Sequence, residues 1–581
     1  MNIKDICYAY FGSLGRALNS LFKNIEHDLD SANMKIHPEV YFSLVSVASL
    51  ISLIIPISIF MLTYLRIIPI DLPIEGIMYV PFFAAIPVII LVLGVVIPKM
   101  SASNRGSGLK IEIPYASMYI STMTSGGLSP FESILRIRKM DLLPNMQEEV
   151  TRIQTIVVSQ GVDPISAMEQ AAKVVEMKDY KELLLGYASS VRTGGDTLHY
   201  LFNQTDSMFK SLSTKIKGMG ESMGMLMEAY TIIAILGVLG LFLIFVVGMA
   251  MPSFSAGLTE DQFMLFSYVV MPMMSFLFIF AGDMAQISYP VSNWKVYIVF
   301  LLSLPIAAFL GSQTVMPYFD TNYLIFPIFQ TIMTEIRLFL GMAEGTEAVL
   351  GLSITLILTT LPGWLADKYF VGREAQILDG INSFLRDLVE TRKSGLGPER
   401  CIQALSERDY GMFSSHLQRI NMKLNWGYPL RLIYDDFRMR VKNWLALINI
   451  YLLVDTLEVG GGTEESLETL AKFAESTKLL EDEKKAVLMP LTVVPLIGAA
   501  LLTGTTVMFL QFFTSGMTGM GGVSVASVAL NKMLLTPLAL HSWTLGLVTG
   551  KIVAGRVSAG FKYSIVFTII SVAGILLVGG A

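Results

Sequence analysis

Two polar stretches with the same order of glycine and proline breaks interrupt a chain that is otherwise dominated by long apolar runs. The first stretch is 99–228 and the second is 367–487. The breaks of the first recur in the second at a nearly constant offset along the chain. The matched positions are Gly127, Pro130, Gly161, Pro164, Gly194 and Gly195, and then Gly395, Pro398, Gly427, Pro429, Gly460 and Gly461. A nearly constant offset indicates an internal duplication, so we expect two copies of one helical domain.

The composition narrows the class of protein. Of the 581 residues, 53% are hydrophobic and only 15% are charged, and the mean hydropathy is +0.59. Soluble globular chains carry about 25% charged residues, so a membrane protein is expected. The net charge of −5 gives no overall attraction to nucleic acid. Two cysteines, Cys7 and Cys401, are too few for a disulfide framework.

The apolar runs predict about nine transmembrane helices, because a hydrocarbon core of ~30 Å takes about 20 helical residues to cross. The runs lie near 41–65, 77–98, 229–251, 263–287, 295–311, 348–366, 488–513, 533–550 and 562–580. The segment 312–347 is expected to form an interfacial or partly exposed hairpin. A full span there would bury Glu335 and Arg337 in lipid, which is costly.

The predicted fold is all-α and polytopic, with two cytoplasmic six-helix bundles related by internal duplication. Proline and glycine divide each polar stretch into about six helices, and Ser129 and Asp163 each precede a proline, as helix starts do.

The N-terminal region is amphipathic and would lie at the membrane interface or pack on the protein itself. The predicted order is 1–40 for that region, 41–98 for two spans, 99–228 for the first domain, 229–366 for four spans with the extracytoplasmic segment, 367–487 for the second domain and 488–581 for three spans.

The placement of lysine and arginine predicts the orientation. In the nine-span topology, all of the 42 basic residues except Arg66, Arg337 and Lys532 lie on the side of the two domains. The short turn at 551–562 is the stronger indicator, because long domains follow the positive-inside rule weakly. Both domains are therefore expected in the cytoplasm, with the C-terminus outside.

A search for catalytic motifs finds none that is complete. Residues 546–552 approach a Walker A loop, but they lack one residue of the spacing and are more simply small residues packing a membrane helix. His541 lies within a span, where it is either functional or a packed, hydrogen-bonded residue. Asp283 lacks the second aspartate that an intramembrane protease needs. No catalytic, metal-binding or cofactor-binding residue is assigned, and no enzymatic activity is expected.

The repeated motifs resemble those of the type II secretion F family, the platform proteins of type II secretion and type IV filament machines. The family's helix start is similar to residues 427–430 and, with one extra residue, to the segment from Gly161. Its break, an acid, then any residue, a small residue and glycine, is similar to Glu458 with Gly460 and Gly461. Arg192 stands where the first copy would have the acid. The duplicated domains and long chain are most similar to archaeal members.

The resemblance implies a non-enzymatic platform in the cytoplasmic membrane, without a cofactor. Its implied partners are a hexameric secretion-type ATPase, pilin or archaellin subunits and membrane lipid, and a homodimer fits a symmetric filament. Surface charge would dock the ATPase. The candidate docking residues form two basic clusters, Arg136, Arg138 and Lys139 in the first domain and Arg438, Arg440 and Lys442 in the second.

Two other classes remain as alternatives. A secondary transporter has duplicated halves and broken spans, and Pro272, Pro305 and Pro362 are candidate break points. However, the repeat lies in the polar stretches, whereas a transporter repeats its spans. A membrane enzyme is disfavoured by the motif search. The sequence leaves open whether the filament is an archaellum or an adhesive pilus.

Overall fold

A computed structural model gives the fold of the chain. It describes residues 3–22, 25–26, 29, 34, 36–64, 79–175, 177–250, 259–287, 289, 294–319, 325–460, 462–519 and 524–579. Every regular element among these residues is a helix and none is a strand, which confirms the all-α class. The chain divides into two compact units. The first comprises 1–120 and 130–205, and the second comprises 121–129 and 206–581.

The N-terminal helix packs along the start of the next helix. Helix α1 is Ile3–Leu21 and α2 is Pro38–Tyr64. The Tyr8 hydroxyl donates a hydrogen bond of 2.9 Å to the Glu39 carboxylate. At Gly15 the two helices approach so closely that a Cβ atom would lie 2.5 Å from the Glu39 carbonyl oxygen. The amphipathic N-terminal region therefore rests on the protein's own helix.

The first polar stretch forms short helices between two long ones. They are α3 (Tyr79–Ser125), α4 (Pro130–Arg136), α5 (Pro144–Gln160), α6 (Pro164–Val174), α7 (Lys178–Arg192) and α8 (Thr197–Ala250). Asp163 caps α6, because its carboxylate accepts a hydrogen bond of 3.0 Å from the Ser166 amide. Glu112 caps α5, because its carboxylate accepts a hydrogen bond of 2.8 Å from the Met146 amide. Burial raises the pKa of Glu112.

The next helices lie between the two polar stretches. They are α9 (Glu260–Leu265), α10 (Met271–Ala285), α11 (Lys295–Thr314), α12 (Pro327–Leu340) and α13 (Glu347–Lys393). A π-helical turn, Phe266–Val270, joins α9 to α10. Pro305 and Pro362 lie inside α11 and α13 without ending them, and Pro272 is at the start of α10. The three prolines proposed as break points therefore do not divide a span into two separate helices.

The second polar stretch repeats the helix order of the first. Its helices are α14 (Pro398–Leu405), α15 (Ser414–Asn425), α16 (Leu430–Arg440), α17 (Trp444–Gly460) and α18 (Glu464–Leu488). Helices α14, α16, α17 and α18 begin at nearly the same offset from the starts of α4, α6, α7 and α8. Helix α13 has 47 residues, as does α3, and it begins at the matching point of the repeat. The internal duplication is thus present in the helices as well as in the sequence.

Three long helices close the chain, namely α19 (Val493–Gly519), α20 (Ser524–Ala554) and α21 (Gly560–Gly579). Helices α20 and α21 meet through small residues. A Cβ atom at Gly550 would lie 2.0 Å from the Gly560 amide nitrogen, and one at Gly546 would lie 2.2 Å from that of Ser564. Such close backbone approach is typical of helix packing in membranes.

The described part of the chain contains six helical stretches that are long and apolar enough to cross a membrane. They are Thr197–Gly248, Glu260–Ala285, Lys295–Tyr318, Glu347–Lys393, Glu464–Ser515 and Val557–Leu577. Each includes most or all of one of the nine predicted spans. The chain is therefore a multi-pass membrane protein.

The other three predicted spans have different outcomes. Those at 41–65 and 77–98 lie partly outside the described residues, and α2 and α3 account for the rest as helix. The span at 533–550 lies in α20, whose middle carries the buried polar residues His541 and Thr544. Because α20 packs against α10, α13, α19 and α21, protein rather than lipid surrounds this polar part.

The segment 312–347 folds back on the neighbouring spans. The Gln313 side-chain oxygen accepts hydrogen bonds from the Ile325 and Phe326 amides, both at 3.1 Å. Arg337 pairs with Glu347 at 3.0 Å. Helix α12 in this segment has 14 residues, which is too short to cross a hydrocarbon core.

Candidate functional site

The second helical domain is joined to the membrane spans by helices that continue through the boundary. Helix α13 begins as an apolar span and runs on to Lys393, and its 47 residues correspond to ~70 Å. At the other end of the domain, α18 passes into α19 through one short 3-10 turn, Met489–Thr492. We call the level at which these helices leave the spans the junction.

At the junction, Asp367 on α13 binds the turn between the last two spans. Arg556 donates to both carboxylate oxygens, at 3.2 and 3.3 Å, and the Ser558 hydroxyl donates to one of them at 2.8 Å. The Asp367 side chain is only 13% exposed. This paired, partly desolvated carboxylate fixes α13 against the α20–α21 turn.

A second ion pair joins α10 to α20 at the same end of the bundle. The Lys551 ammonium binds the Asp283 carboxylate and also donates to the Gly555 carbonyl at 3.0 Å. Next to it, the Gln286 side-chain amide donates to the carbonyls of Lys551 and Ile552, at 2.9 and 2.6 Å. These bonds satisfy carbonyls near the C-terminus of α20.

The turn after α10 contacts the second domain. The Tyr289 hydroxyl donates to the Glu481 carboxylate of α18 at 2.6 Å, and the Tyr289 ring stacks on Trp444 at a centroid distance of 4.9 Å. Lys484 of α18 donates to the Ile287 carbonyl at 3.2 Å. The first residue of α17 and the last turns of α18 are therefore held at the junction.

Within the second unit, the final helices of the two copies pack along each other. Glu483 of α18 accepts a hydrogen bond of 2.6 Å from the Ser213 hydroxyl of α8 and pairs with Lys217 at 3.0 Å. Nearer the start of both helices, Phe209 of α8 stacks on Phe473 of α18 with centroids 6.1 Å apart. Equivalent helices of the repeat are thus paired where both enter the membrane.

These contacts couple the domain mechanically to the spans, and they hold no recognisable reaction chemistry. Asp367, Asp283 and Glu481 each have a partner at the junction, so they are occupied as structural groups. Within the residues that the structure describes, no group of three His, Cys, Asp or Glu side chains could hold a metal ion. The arrangement can fix the depth and rotation of α13 and α18.

The glycines of the first copy lie where helices end. Gly127, Gly161 and Gly194 have φ of 97°, 65° and 68°, in the left-handed region that glycine adopts without a Cβ clash. Gly195 follows Gly194 in the turn between α7 and α8. Pro130 and Pro164, together with Asp163 before the latter, begin α4 and α6.

The second copy differs at its third break. Gly395 and Gly427 have φ of 84° and 74°, Pro398 begins α14, and Pro429 immediately precedes α16. The third left-handed glycine is Gly462, at φ 61°. Gly460 is the last residue of α17 and Glu458 is exposed near that end. Gly461 lies outside the described residues.

Arg192, which stands at the acid's position in the first copy, ends α7 and pairs with Glu169 of α6 at 3.0 Å. Both side chains are partly exposed, so the pair contributes little to stability.

The two predicted basic clusters have different surroundings. In the first, Arg138 and Lys139 are exposed and Arg136 is half-buried, and Arg138 donates to Gln154. In the second, Arg440 binds Asp436 through two hydrogen bonds of 3.2 Å. Lys442 donates to the Arg438 carbonyl at 3.3 Å, and Arg438 is half-buried. The hydrogen bonds that Arg440 and then Lys423 donate to Asp436 hold the pKa of this carboxylate below its usual range.

Two further candidates for catalysis, residues 546–552 and His541, lie inside α20. Residues 546–552 are helical throughout and lie in α20, so they form no phosphate-binding loop. His541 is buried, with its Nε2 3.4 Å from the Ser267 hydroxyl in the π-helical turn.

The sequence search did not identify the junction contacts. Asp367 and Arg556 are 189 positions apart, and neither belongs to a motif. The available signal was the charged residues next to span ends, which on their own indicate only a side of the membrane.

Comparisons with known proteins match both copies of the repeat. The family model for type II secretion system protein F matches the chain twice, at residues 116–245 and 384–511. The two matches have nearly the same length, and each covers a helical domain together with the span that follows it. An uncharacterized protein of Methanocaldococcus jannaschii is 20% identical over 496 residues, which cover 83% of this chain and 82% of the relative. No solved structure matches the chain.

The fold and the junction define a multi-pass membrane protein with a duplicated helical domain. The chain carries the type II secretion system protein F domain twice. The match confirms the resemblance seen in the sequence. It does not favour the secondary transporter alternative, because the repeated unit is a domain with one following span.

Proposed function

We propose that the chain is the cytoplasmic-membrane platform of a type IV filament machine, either an archaellum or an archaeal pilus. The observation that carries the proposal is that each copy of the family domain is framed by long helices, α3 with α8 and α13 with α18 and α19. A helix transmits displacement along its axis, so movement of a domain reaches the spans. The platform performs no chemistry of its own. The archaeal relative supports the archaeal setting.

In this proposal both domains face the cytoplasm, the segment 312–347 lies outside, and the C-terminus is outside. The Arg556–Asp367 pair supports this orientation, because it joins the basic turn between α20 and α21 to the end of α13 from which the second domain extends. Short basic turns between spans favour the cytoplasmic side.

A hexameric secretion-type ATPase would engage the domains, and its motion would lift pilin or archaellin subunits into the filament. The first basic cluster, Arg136, Arg138 and Lys139, is the proposed docking site for an acidic surface of the ATPase. Its two exposed cations follow α4 in a short 3-10 turn, Ile137–Lys139, which is anchored by the fully buried Ile137 side chain.

Co-purification from native membranes tests the proposal. The unaltered chain should retain a hexameric ATPase, and Arg136→Glu, Arg138→Glu and Lys139→Glu together should reduce the retained ATPase by at least about tenfold, as expected for several like-charge contacts. The matched control reverses three cations on α6 and α7 of the same unit, Lys173, Lys178 and Lys181, and should keep the ATPase. The thermal midpoint of each variant checks folding.

Retention of the ATPase by the first triple variant would exclude this docking site, and failure of the unaltered chain to retain any ATPase would contradict the platform role. Loss of a surface filament on deletion in the native host, and the identity of that filament, distinguishes an archaellum from a pilus. Light scattering of the solubilised chain tests the expected homodimer.

A further inference from the structure

The junction fixes the distance between the second domain and the ends of the membrane spans. Helix α13 leaves the span at Asp367, which binds the turn between two spans. Arg373 lies six residues further along, which is about 9 Å at 1.5 Å per residue. The polar layer on each bilayer face is roughly 5–8 Å thick. Because arginine side chains reach along surfaces toward polar groups, a bilayer surface at the junction, as the proposed function places it, would bring lipid phosphates within reach of Arg373.

The beginning of α17 and the end of α16 return to the same depth. The Asn443 side-chain amide is 3.5 Å from the Glu374 carbonyl of α13, and Trp444 stacks on Tyr289. Tyr369, next to the junction, is 56% exposed. Trp444 is buried in this contact, whereas tyrosine rings exposed near span ends are enriched at the headgroup level of membranes. The exposed Tyr369 ring therefore marks the expected position of the bilayer surface.

Three arginines from three helices, Arg373, Arg419 and Arg440, lie near this end. Arg373 precedes Glu374, which Asn443 contacts. Asp436 of α16 binds both Arg440 and Lys423 of α15, each at 3.2 Å, and Arg419 lies one turn before Lys423. The His416 ring of α15 contacts the Phe437 ring edge-on with centroids 5.6 Å apart. Burial, followed by the positive charges of Arg419, Arg440 and Arg373, lowers the pKa of His416. We call these three residues the membrane-end arginines.

The charges of the membrane-end arginines are only partly neutralised. Arg440 is paired with Asp436 at 3.2 Å. Arg373 is exposed and donates to the Tyr369 hydroxyl at 2.7 Å, which leaves its charge without a carboxylate partner among the described residues. Arg419 is exposed and makes no hydrogen bond or ion pair with any residue that the structure describes. Two guanidinium groups therefore remain available to an anion.

We propose that the membrane-end arginines bind the phosphate of an anionic phospholipid in the leaflet beside the second domain. Guanidinium groups bind phosphate oxygens through paired hydrogen bonds, and cations next to a membrane are attracted to anionic headgroups. The bound lipid would hold the domain against the leaflet surface. The inference rests on the membrane placement within the proposed function, and it does not depend on the ATPase role.

Native mass spectrometry of the full chain in detergent measures the retained lipid. With phosphatidylglycerol added, the unaltered chain should retain lipid, and with phosphatidylcholine it should retain much less. Arg373→Gln with Arg419→Gln should weaken phosphatidylglycerol binding by about tenfold or more, since each juxtamembrane cation contributes roughly fivefold. The matched control, Arg386→Gln with Arg400→Gln, removes the same charge further from the junction and should leave binding unchanged.

Two additional measurements complete the test, one with a lysine variant and one with inorganic phosphate as competitor. Arg373→Lys with Arg419→Lys preserves the charge but not the paired hydrogen bonds, so its phosphatidylglycerol binding should lie between that of the unaltered chain and that of the glutamine variant. If the glutamine variant does not fold, this partial loss is the test, and unchanged binding in the lysine variant would then overturn the proposal. Inorganic phosphate at the concentration of the lipid should not displace phosphatidylglycerol, and displacement would indicate a free-phosphate site instead.

Unchanged phosphatidylglycerol binding in the folded glutamine variant would overturn the proposal. So would loss of ATPase co-purification with lipid binding intact, because that result would assign the arginines to a protein partner. Failure of the first basic cluster to dock the ATPase would leave the lipid result unaffected, so the two proposals are tested separately.

Discussion

Arg556 binds the Asp367 carboxylate with two hydrogen bonds, although 189 positions separate the two residues. A guanidinium and a carboxylate bonded through both oxygens have a defined mutual orientation. Because Asp367 lies on α13 and Arg556 lies between α20 and α21, the pair sets the rotation of α13 relative to the C-terminal hairpin. The first helix of the second domain therefore has a fixed direction where it leaves the membrane.

Replacement of Asp367 by Asn should destabilise the protein. The substitution removes the charge that Arg556 binds, and Arg556 is partly withdrawn from water. We expect a loss of about 1–3 kcal/mol in the free energy of unfolding, measured as a lower thermal midpoint in detergent. Glu390→Gln removes one member of an exposed pair with Lys393 and should change the midpoint little. Equal shifts for the two variants would contradict a special role for Asp367.

The close contact between α20 and α21 predicts that Gly550 does not tolerate a side chain. In Gly550→Ala the new Cβ would lie 2.0 Å from the Gly560 amide nitrogen, and backbone atoms cannot move aside as a flexible side chain can. We expect destabilisation of about 3 kcal/mol or more, or loss of folded protein.

Gly504→Ala is the control for this prediction, because it lies in α19 with open space around its Cβ position. It should be neutral or slightly stabilising, as alanine favours helix by roughly 0.5–1 kcal/mol. Thermal unfolding of both variants in the same detergent makes the comparison, and a Gly550→Ala variant as stable as Gly504→Ala would refute the packing.

The third break of the second copy predicts unequal effects of alanine at Gly460 and at Gly462. Gly462 has φ 61° and its Cβ position is 2.6 Å from the Leu457 side chain, so Gly462→Ala should cost about 1–2 kcal/mol. Gly460 ends α17 in helical conformation, so Gly460→Ala meets no left-handed backbone strain and should cost less than Gly462→Ala. Chemical denaturation of the two variants measures the difference, and a greater cost at Gly460 would place the break at the position inferred from sequence.

His416 predicts an acid sensitivity of the second domain. Its pKa is lowered in the folded protein by burial and then by nearby arginines, so the unfolded chain binds a proton at higher pH than the folded chain does. Stability should therefore decline as the pH falls below the ordinary histidine value of about 6.5. The thermal midpoint between pH 8 and pH 5 should fall less in His416→Gln. Parallel curves would exclude a contribution from His416.

The sequence was sufficient to predict the repeat, because the residues that end helices act locally. Gly161 and Gly427 end helices through their own backbone angles, and Pro164 begins a helix through its ring. The same local chemistry at a constant offset yields the same helix order. The break near Gly460 was harder to locate, because three consecutive glycines offer equivalent local choices and packing around Leu457 and Pro398 distinguishes Gly462.

The junction could not be predicted in the same way. Lys551 and Asp283 lie far apart in the sequence, and their pairing depends on how α10 and α20 pack. The surroundings of the predicted span in α20 could not be predicted from hydropathy. Hydropathy measures affinity for lipid, whereas His541 and its neighbours are enclosed by other helices, where polar residues are satisfied by protein.

The unbroken course of α13 through the junction makes it a lever with Asp367 close to its fulcrum. At 1.5 Å per residue, the arm within the domain is about 40 Å long and the arm within the membrane is about 30 Å long. A tilt of roughly ten degrees would move the far end of the domain by about 7 Å and the opposite end of the helix by about 5 Å the other way. A small angular push at one face of the bilayer would thus emerge at the other face as a displacement of atomic-contact size.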